Sequence, residues 1–266
     1  MSALTDRLDE IKGEGRAALI GYLPVGYPDV DTSIRAMVAM VESGVDIVEV
    51  GPPYSDPVLD GSVIQLAVAQ ALERGVRLRD VFRAVTAIAD AGAQPVVMSY
   101  FNPMLQYGLE RFAADLVAAG GTGVITPDLT PDVGEEWIAA ARAHDLDTVF
   151  LVAPSTTRER MHMTVAASRG FVYATPLMGV TGERASVGDA AERVVSQARE
   201  AGAERVCVGV GVSTGEQAAQ IAGFADGVIV GTALVRCLAE AADPDDGIAA
   251  LRVKVAELAD GVRSAR

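Results

Sequence analysis

The chain has 266 residues, half of them hydrophobic, and its 36 acidic and 22 basic side chains give a net charge of −14 at pH 7. A length of this order fits one large domain or two small ones, and α/β barrels commonly use about 250 residues for a single core. Because an acidic chain repels phosphodiesters and anionic lipids, and because no local basic stripe occurs, the composition argues against a general nucleic-acid or membrane-surface role.

The first residues predict a short amphipathic helix, and the composition favours a cytoplasmic protein. Leucine and isoleucine recur at helical spacing within residues 1–12, among charged side chains that a secretory signal would lack. Prolines interrupt the longest uncharged stretch, residues 91–109, so no membrane span is predicted. Cys207 and Cys237 form no C-x-x-C pair, which favours a reducing compartment and buried thiols.

Apolar, β-branched runs alternate with alanine-rich segments of helical period along the rest of the chain. Eight runs are predicted to be strands: residues 17–23, 46–51, 94–100, 123–127, 148–154, 171–175, 205–211 and 227–231. Between them, helices are predicted at residues 31–43, 62–74, 78–91, 109–119, 131–144, 157–168, 189–201 and 214–222. Another helix is expected to start at Thr232, and a last one covers residues 247–262.

Repeated strand and helix pairs imply parallel strands, and several strands are apolar throughout, as in a sheet that is covered on both faces. Eight such units without a composition break or a long linker predict an α/β fold. It is expected to be a single (β/α)8 TIM barrel over residues 1–266, with a short N-terminal helix and an extra helix after strand 8. An open doubly wound sheet is the alternative. In a barrel the active site lies where the strands end, so polar residues at those junctions identify it.

Two short motifs lack the context that their chemistry requires. Residues 13–18 match a G-x-G-x-x-A dinucleotide loop, but they precede the first strand, whereas such a loop follows one. Residues 211–215 match a G-x-S-x-G nucleophile elbow, yet His144 and His162 both come before it and the hydrolase order needs a later histidine. Ser213 is therefore predicted to be a helix cap. The scarcity of histidine and cysteine also argues against a zinc site.

Residues 48–61 carry three carboxyl groups around the end of the second predicted strand, and Glu49 and Asp60 are the candidates for function, since Asp56 before Pro57 is a common turn dipeptide. Glu49 lies between Val48 and Val50, where an ionised carboxylate loses hydration and needs a partner or a raised pKa. It is either a functional group or a structural one that a neighbouring strand satisfies. Asp60 lies in the following loop just before a predicted helix, so an N-cap role is the alternative to a functional one.

Three glycine-bearing loops follow the last three predicted strands. Residues 179–184, 209–211 and 231–232 place backbone N–H groups where they can approach an anion. The helix that starts at Thr232 adds the positive end of its dipole. Because barrels frequently bind phosphate after strands seven and eight, these loops predict a phosphate site. The alternative is that the glycines only turn the chain.

Together these features resemble a known family. The segment that holds Glu49 and Asp60 closely resembles the signature of the tryptophan synthase alpha chain, and the resemblance extends over nearly the whole sequence. It includes residues 100–103 after strand three, 127–129 after strand four, 179–182 after strand six and the two late glycine loops. The resemblance implies a (β/α)8 barrel that cleaves indole-3-glycerol phosphate to indole and glyceraldehyde 3-phosphate by a retro-aldol reaction.

The resemblance implies catalytic roles for three residues. Glu49 is expected to do the acid–base work at indole C3 and at the side-chain hydroxyl, and Asp60 to act on the indole N–H. Tyr173 resembles a tyrosine that forms a hydrogen bond near the glutamate. The residue types suit these roles, because a carboxyl group between valines can have a raised pKa while a more solvated Asp60 stays anionic.

The resemblance also implies which residues bind the substrate. Those expected to bind the phosphate, or to close over it, are Thr181, Gly182, Gly211, Gly231 and Thr232, and those expected around the indole ring are Tyr22, Ile64, Tyr100, Ile125 and Val210. Several depart from the commonest pattern: Tyr22 and Tyr54 stand where phenylalanine is frequent, Val210 where an aromatic is frequent, and Thr232 where serine is usual. The long glycine-rich segment of residues 176–188 is expected to be a lid.

The family works with a beta chain that condenses indole with serine on pyridoxal phosphate to make L-tryptophan. The resemblance therefore implies an alpha2beta2 tetramer in which this chain needs no cofactor of its own, and Asp56 and Asp128 match the surface that touches the partner. Three alternatives stay open: a lyase that releases indole without a partner, a chain that only docks on and activates the partner, and a different phosphosugar isomerase or epimerase.

Overall fold

The computed structural model describes residues 2–175 and 185–265. Within them, nine parallel strands form one sheet: β1 (Ala18–Pro24), β2 (Ile47–Gly51), β3 (Gln94–Met98), β4 (Gly123–Ile125), β5 (Asp147–Val149), β6 (Leu151–Val152), β7 (Val172–Ala174), β8 (Val206–Gly209) and β9 (Gly227–Val230). Their order across the sheet is β5-β4-β3-β2-β1-β9-β8-β7-β6.

The sheet closes on itself because its two end strands are halves of one stretch of chain. Phe150 alone separates β5 from β6, and its carbonyl accepts a hydrogen bond of 3.0 Å from the N–H of Tyr173 in β7. β5 pairs with β4, and β6 pairs with β7. The predicted barrel is thus confirmed, with its fifth strand interrupted at Phe150, and the open doubly wound sheet is wrong.

Helices cover the outside of the barrel and follow the predicted order. Those in the described residues are α1 (Ala3–Gly13), α2 (Val30–Glu42), α3 (Ser62–Glu73), α4 (Leu78–Asp90), α5 (Phe101–Tyr107), α6 (Leu109–Ala118), a 3-10 helix (Pro131–Val133), α7 (Glu135–Ala143), α8 (Arg158–Ala167), α9 (Ala185–Glu200), α10 (Gly215–Ala222), α11 (Thr232–Ala239) and α12 (Pro244–Arg263). The predicted helices after strand 8 are α11 and α12. None of the helices in the described ranges is long and apolar enough to cross a membrane.

The helices differ from the prediction in two places near the ends of the strands. Helix α5 was not predicted, because residues 101–103 look like a loop; Pro103 falls in the first turn, where a missing N–H costs no helical hydrogen bond. The helix predicted at residues 131–144 divides at Gly134 into the 3-10 helix and α7. Both differences place short helices above β3 and β4.

Alternating strand side chains fill the barrel interior, and α1 closes one end of it. Leu4, Leu8 and Ile11 on α1 are buried, as the predicted amphipathic helix requires. They share one apolar cluster with Phe171, just before β7, and with strand residues that include Ala18, Ile20, Ile47, Val96, Ile125, Val149, Cys207 and Ile229. The helix is therefore a floor for the barrel at the end opposite to the predicted site. Cys207 is buried as predicted, whereas Cys237 is only half-buried.

Buried aspartates tie the floor of the barrel together. Asp46, just before β2, accepts hydrogen bonds from Arg16 (2.7 and 2.9 Å), from Arg7 (3.0 Å) and from the N–H of Leu19 (3.0 Å). Asp226, just before β9, is arranged in a similar way with basic side chains and the N–H of a neighbouring strand. In barrels this end serves stability, and the opposite end is free for function.

Replacing Asp46 with alanine should lower the free energy of unfolding by about 2 to 3 kcal/mol, because Arg16 and the N–H of Leu19 lose their buried acceptor. The midpoint of urea unfolding measures this change. Glu240→Ala is the control: its carboxylate is 71% exposed and pairs with Arg236, so its effect should stay within about 0.5 kcal/mol. Equal midpoints for both variants would contradict the structural role of Asp46.

Candidate active site

A cavity of about 220 Å³ opens where the strands end, at the side of the barrel opposite to α1. The predicted site residues that line it are Glu49, Asp60, Tyr173, Tyr22, Ile64, Val210, Gly211, Gly231 and Thr232. The strands and their following loops therefore bring together residues that lie as far as 210 positions apart along the chain. Thr181 and Gly182 lie outside the described residues, as does most of the predicted lid.

Glu49 is placed by its strand. It belongs to β2, where it pairs in register with Tyr22 of β1, and its side chain points into the cavity while only 1% of the residue is exposed. Within the described residues, Oε1 has no hydrogen-bond partner. Burial away from water raises the pKa of Glu49 to about 8. The group is therefore mainly protonated at neutral pH and can both give and take a proton.

Asp60 reaches the same cavity from the loop between β2 and α3. It is half-buried, and the loss of hydration raises its pKa to about 6, so the carboxylate is mainly ionised at neutral pH. The N-cap of α3 is Gly61 and not Asp60, so the capping alternative is wrong. The backbone carbonyl of Asp60 accepts a hydrogen bond of 2.7 Å from Gln65, which ties the loop to the helix.

Two buried tyrosines lie beside the carboxyl groups. Burial, together with the negative charge of Glu49 and Asp60, raises the pKa of Tyr22 and of Tyr173 well above 10, so both keep their phenolic proton. The described hydrogen bonds do not include one between Tyr173 and Glu49. Tyr173 borders the cavity and carries a hydroxyl that a ligand or a water molecule can use.

Glycines at strand ends make room for these tyrosine rings. A Cβ atom on Gly51 would lie 2.5 Å from the hydroxyl of Tyr22 and within 2.8 Å of its ring carbons. A Cβ atom on Gly209 would lie 2.3 Å from the hydroxyl of Tyr173. Any side chain at these two positions would push a tyrosine toward the cavity, so the glycines help to set its shape.

Tyr100 supports the Asp60 loop and does not line the cavity. Its hydroxyl accepts hydrogen bonds from the N–H groups of Val58 (2.9 Å) and Leu59 (3.1 Å), and its ring stacks on Tyr54 with centroids 5.0 Å apart. The contact predicted between Tyr100 and the indole ring stays a prediction, and the hydroxyl of Tyr100 contacts the loop. Ile125, also predicted at the cavity, is fully buried in the apolar cluster of the barrel interior.

The two acidic residues predicted at a partner surface are both exposed. Asp56 lies in the loop before Asp60, and Asp128 follows β4. The carboxylate of Asp128 accepts hydrogen bonds of 2.9 and 3.2 Å from the N–H of Phe101, the first residue of α5. Asp128 therefore joins the ends of β3 and β4 in addition to facing solvent.

The far end of the cavity consists mainly of backbone. Gly211 adopts a positive φ of 75°, which favours glycine, and α11 begins at Thr232 with Gly231 as an N-cap that offers no side-chain acceptor. The first N–H groups of this helix are therefore available to an anion, as the sequence suggested. The prediction for Ser213 is wrong: Thr214 caps α10, and Ser213 bonds to Gln217.

Several apolar residues line the cavity that the sequence did not single out. They are Leu59, Met98, Leu151 and Ile229, and Gly61 and Thr175 line the cavity as well. Met98, Leu151 and Ile229 alternate with outward-facing residues along their strands, as the pleat of a barrel requires. The alternation of inward-facing and outward-facing residues along each strand was the signal that could have found these three.

Gly51→Ala should destabilise the protein by about 1 to 3 kcal/mol, because the added methyl overlaps the ring of Tyr22. The same substitution in a Tyr22→Ala background should cost much less, since the ring is gone, so the two changes should be strongly non-additive. Urea unfolding of the four proteins of this cycle measures the coupling. Additive effects would show that Tyr22 does not occupy the space above Gly51.

Comparisons with known proteins agree with this geometry. The family model described as tryptophan synthase alpha chain matches residues 8–263. The chain is 58% identical over 262 residues to the tryptophan synthase alpha chain of Mycobacterium intracellulare, covering 98% of this chain and 95% of the relative. It is 53% identical to the tryptophan synthase alpha chain of Thermobifida fusca, covering 100% of this chain and 99% of the relative. A solved structure of Mycobacterium tuberculosis tryptophan synthase superposes with a TM-score of 0.92 at 55% identity, covering 98% of each chain. The chain belongs to the tryptophan synthase alpha chain family.

Proposed function

We propose that Glu49 and Asp60 carry out the reaction of the family in this chain, the retro-aldol cleavage of indole-3-glycerol phosphate to indole and glyceraldehyde 3-phosphate. The chain is a carbon–carbon lyase of L-tryptophan biosynthesis. The observation that carries the assignment of residues is the fully buried Glu49, whose Oε1 has no partner within the described residues and whose side chain shares one cavity with Asp60. A phosphosugar isomerase or epimerase is not compatible with the family match.

The acid–base step at Glu49 follows from its protonation state. The neutral carboxyl gives its proton to indole C3, and the positive charge that develops is shared with the indole nitrogen. The resulting carboxylate then takes the proton of a hydroxyl on the glycerol phosphate part of the substrate, while the bond between this part and indole C3 breaks. The bonding electrons return to the ring, the hydroxyl becomes an aldehyde, and Glu49 regains its proton. A pKa near 8 suits a group that must serve in both directions.

Asp60 is assigned to the indole N–H. Its pKa of about 6 leaves it mainly ionised at neutral pH, so it can stabilise the positive charge on the nitrogen while the proton is at C3. The two carboxyl groups therefore have opposite protonation states in the active form. Burial is the cause in both cases, and the deeper position of Glu49 gives it the larger shift.

The two ends of the substrate match the two ends of the cavity. The phosphate is assigned to backbone donors at Gly211 and Gly231, to Thr232 and to the start of α11, together with Thr181 and Gly182. The indole ring is assigned to the apolar part between Ile64, Val210 and the other inward-facing strand residues. Binding both ends holds the C3 atom beside Glu49.

The pH dependence of kcat/KM tests this assignment. It should be bell-shaped, because activity requires Asp60 to be ionised and Glu49 to be protonated: the rate should rise as Asp60 loses its proton near pH 6 and fall as Glu49 loses its own near pH 8. Glu49→Gln should lower kcat by about a hundredfold to ten-thousandfold. Release of indole from indole-3-glycerol phosphate is the measurement.

Glu110→Gln is the control for this experiment, because Glu110 lies on α6 with its side chain 71% exposed. It should keep the wild-type rate and pH profile. Retention of most of the cleavage rate in Glu49→Gln would refute the acid–base assignment. If the wild-type chain released no indole but still activated a beta chain, the chain would be a docking subunit without catalysis of its own.

The partner that fits this chain is a tryptophan synthase beta chain, in an alpha2beta2 tetramer. It would bind the pyridoxal phosphate, so this chain needs no cofactor for the cleavage. A candidate surface surrounds the mouth of the cavity: next to Asp56 and Asp128, the apolar side chains of Val58, Leu59, Leu105 and Val133 are exposed in the segments that follow β2, β3 and β4. Exposed apolar groups gathered in one area are typical of a protein interface. The cytoplasmic setting expected from the cysteine content belongs to the same proposal.

Val133→Asp should weaken binding of the beta chain about tenfold or more, because it buries a charge in the interface. Val253→Asp is a matched control: Val133 is 71% exposed and Val253, on α12, is 72% exposed. The concentration of beta chain that gives half-maximal stimulation of indole release measures the effect. Equal values for the two variants would place the partner on another surface.

A further inference from the structure

The loop between β8 and α10 holds Gly211 at the phosphate end of the cavity, and α12 supports it from outside. Lys254 on α12 donates a hydrogen bond of 3.2 Å to the carbonyl of Ser213. Glu257, one turn further on, accepts a hydrogen bond of 2.9 Å from the N–H of Gly215. The two side chains also pair with each other at 2.6 Å. We call Lys254 and Glu257 the α12 clamp.

Direct backbone contact reinforces the α12 clamp. A Cβ atom on Gly261 would lie 2.1 Å from the carbonyl oxygen of Gly215, and a Cβ atom on Gly215 would lie 2.6 Å from the carbonyl oxygen of Glu257. Helix α12 and the first residue of α10 therefore touch without side chains between them. This contact fixes the end of the loop that leads into α10.

Hydrogen bonds within the protein limit which N–H groups in the loop and at the start of α10 can bind a ligand. The N–H of Gly215 is used by Glu257, and the N–H of Ser213 donates a hydrogen bond of 2.9 Å to Gln217. The outer part of the loop is thus satisfied within the protein. An anion at this loop has to be held by the part nearer Gly211, which lines the cavity.

The position of Lys254 next to the residues assigned to the phosphate supports the same conclusion. Lys254 lines a groove together with Gly211, Ser213 and Thr232, so its ammonium group lies on the outer side of the residues assigned to the phosphate. Because the half-buried Lys254 pairs with Glu257 at 2.6 Å, the α12 clamp adds no net charge there and acts through its hydrogen bonds to the backbone. The hydrogen bonds from Lys254 and from the N–H of Gly215 lower the pKa of Glu257, so its carboxylate is ionised at neutral pH.

We propose that Lys254 and Glu257 are positioning residues for the phosphate group of the substrate: they fix the Gly211 loop in the shape that binds the anion and do not touch the reacting atoms. The proposal rests on the phosphate site described under the proposed function. It predicts an effect on substrate and phosphate binding that is separate from the chemical step.

Lys254→Met should raise KM for indole-3-glycerol phosphate and Kd for inorganic phosphate about threefold to tenfold, which is the range expected for the loss of one ordinary hydrogen bond. The value of kcat should stay within about twofold. Lys254→Arg keeps the charge and a donor and should restore most of the binding. Glu257→Gln should give a smaller loss in the same direction. Steady-state kinetics and calorimetric titration with inorganic phosphate measure these values.

Arg252→Met is the control, because Arg252 lies on the same helix but pairs with Glu42 of α2. Unchanged KM and Kd in Lys254→Met, or an equal rise in Arg252→Met, would overturn the proposal, as would a fall in kcat without a change in KM. Thermal unfolding verifies that each variant is folded. If phosphate binding weakened in Lys254→Met while the wild-type chain cleaved no substrate, the clamp would stand and the proposed reaction would fail. If the wild-type chain bound no phosphate, the clamp proposal would fail as well.

Discussion

The carboxyl group of Glu49 sets the main physical constraint on this barrel. A carboxylate that leaves water without a cation or a donor is strongly disfavoured, so the folded protein holds the group mainly as an acid. Keeping it dry requires neighbours that fill space without neutralising it. Valines flank it along the strand, Tyr22 and Tyr173 keep their protons, and apolar side chains from β3, β6 and β9 line the remaining wall. At the mouth of the barrel, these side chains keep the carboxyl group of Glu49 away from solvent.

Two buried carboxyl groups that are only three residues apart have different surroundings at the two ends of the barrel. Asp46 lies three residues before Glu49 and is almost as well buried, yet two arginines and a backbone N–H surround it. There the donors satisfy the buried carboxylate, and it serves the fold. At the other end no such donors reach Oε1 of Glu49 within the described residues. The carboxyl group that stabilises the fold therefore lies just before β2, and the one proposed to react lies three residues later on that strand.

The sequence was most informative where local pattern and function coincide. Eight apolar runs with helical segments between them were enough to predict the barrel, and a glutamate between valines was enough to single out a carboxyl group that lines the cavity. The failures concern contacts that no local pattern records. Nothing near Tyr100 reveals that its hydroxyl binds the backbone of a loop 41 residues earlier, and nothing near Ser213 reveals the lysine 41 residues later that holds its carbonyl. Helix α5 was missed because a proline in a first turn looks the same as a proline in a loop.

The loop between β2 and α3 connects the chemistry to the outside of the molecule. On its inner side it carries Asp60, whose carboxylate is half-buried, and on its outer side it exposes Val58. Tyr100 fixes the middle of the loop through two backbone N–H groups but leaves the outer side chains uncovered. A partner that covers Val58 removes water from the loop and restricts its motion, so it also fixes the carboxylate two residues further on. Under the proposed function, binding of the partner therefore orders this short segment, and the ordered segment orients Asp60. Glu49 lies on a strand and Asp60 lies on a loop. Under the proposed function, a partner can therefore change the orientation of Asp60 without moving Glu49.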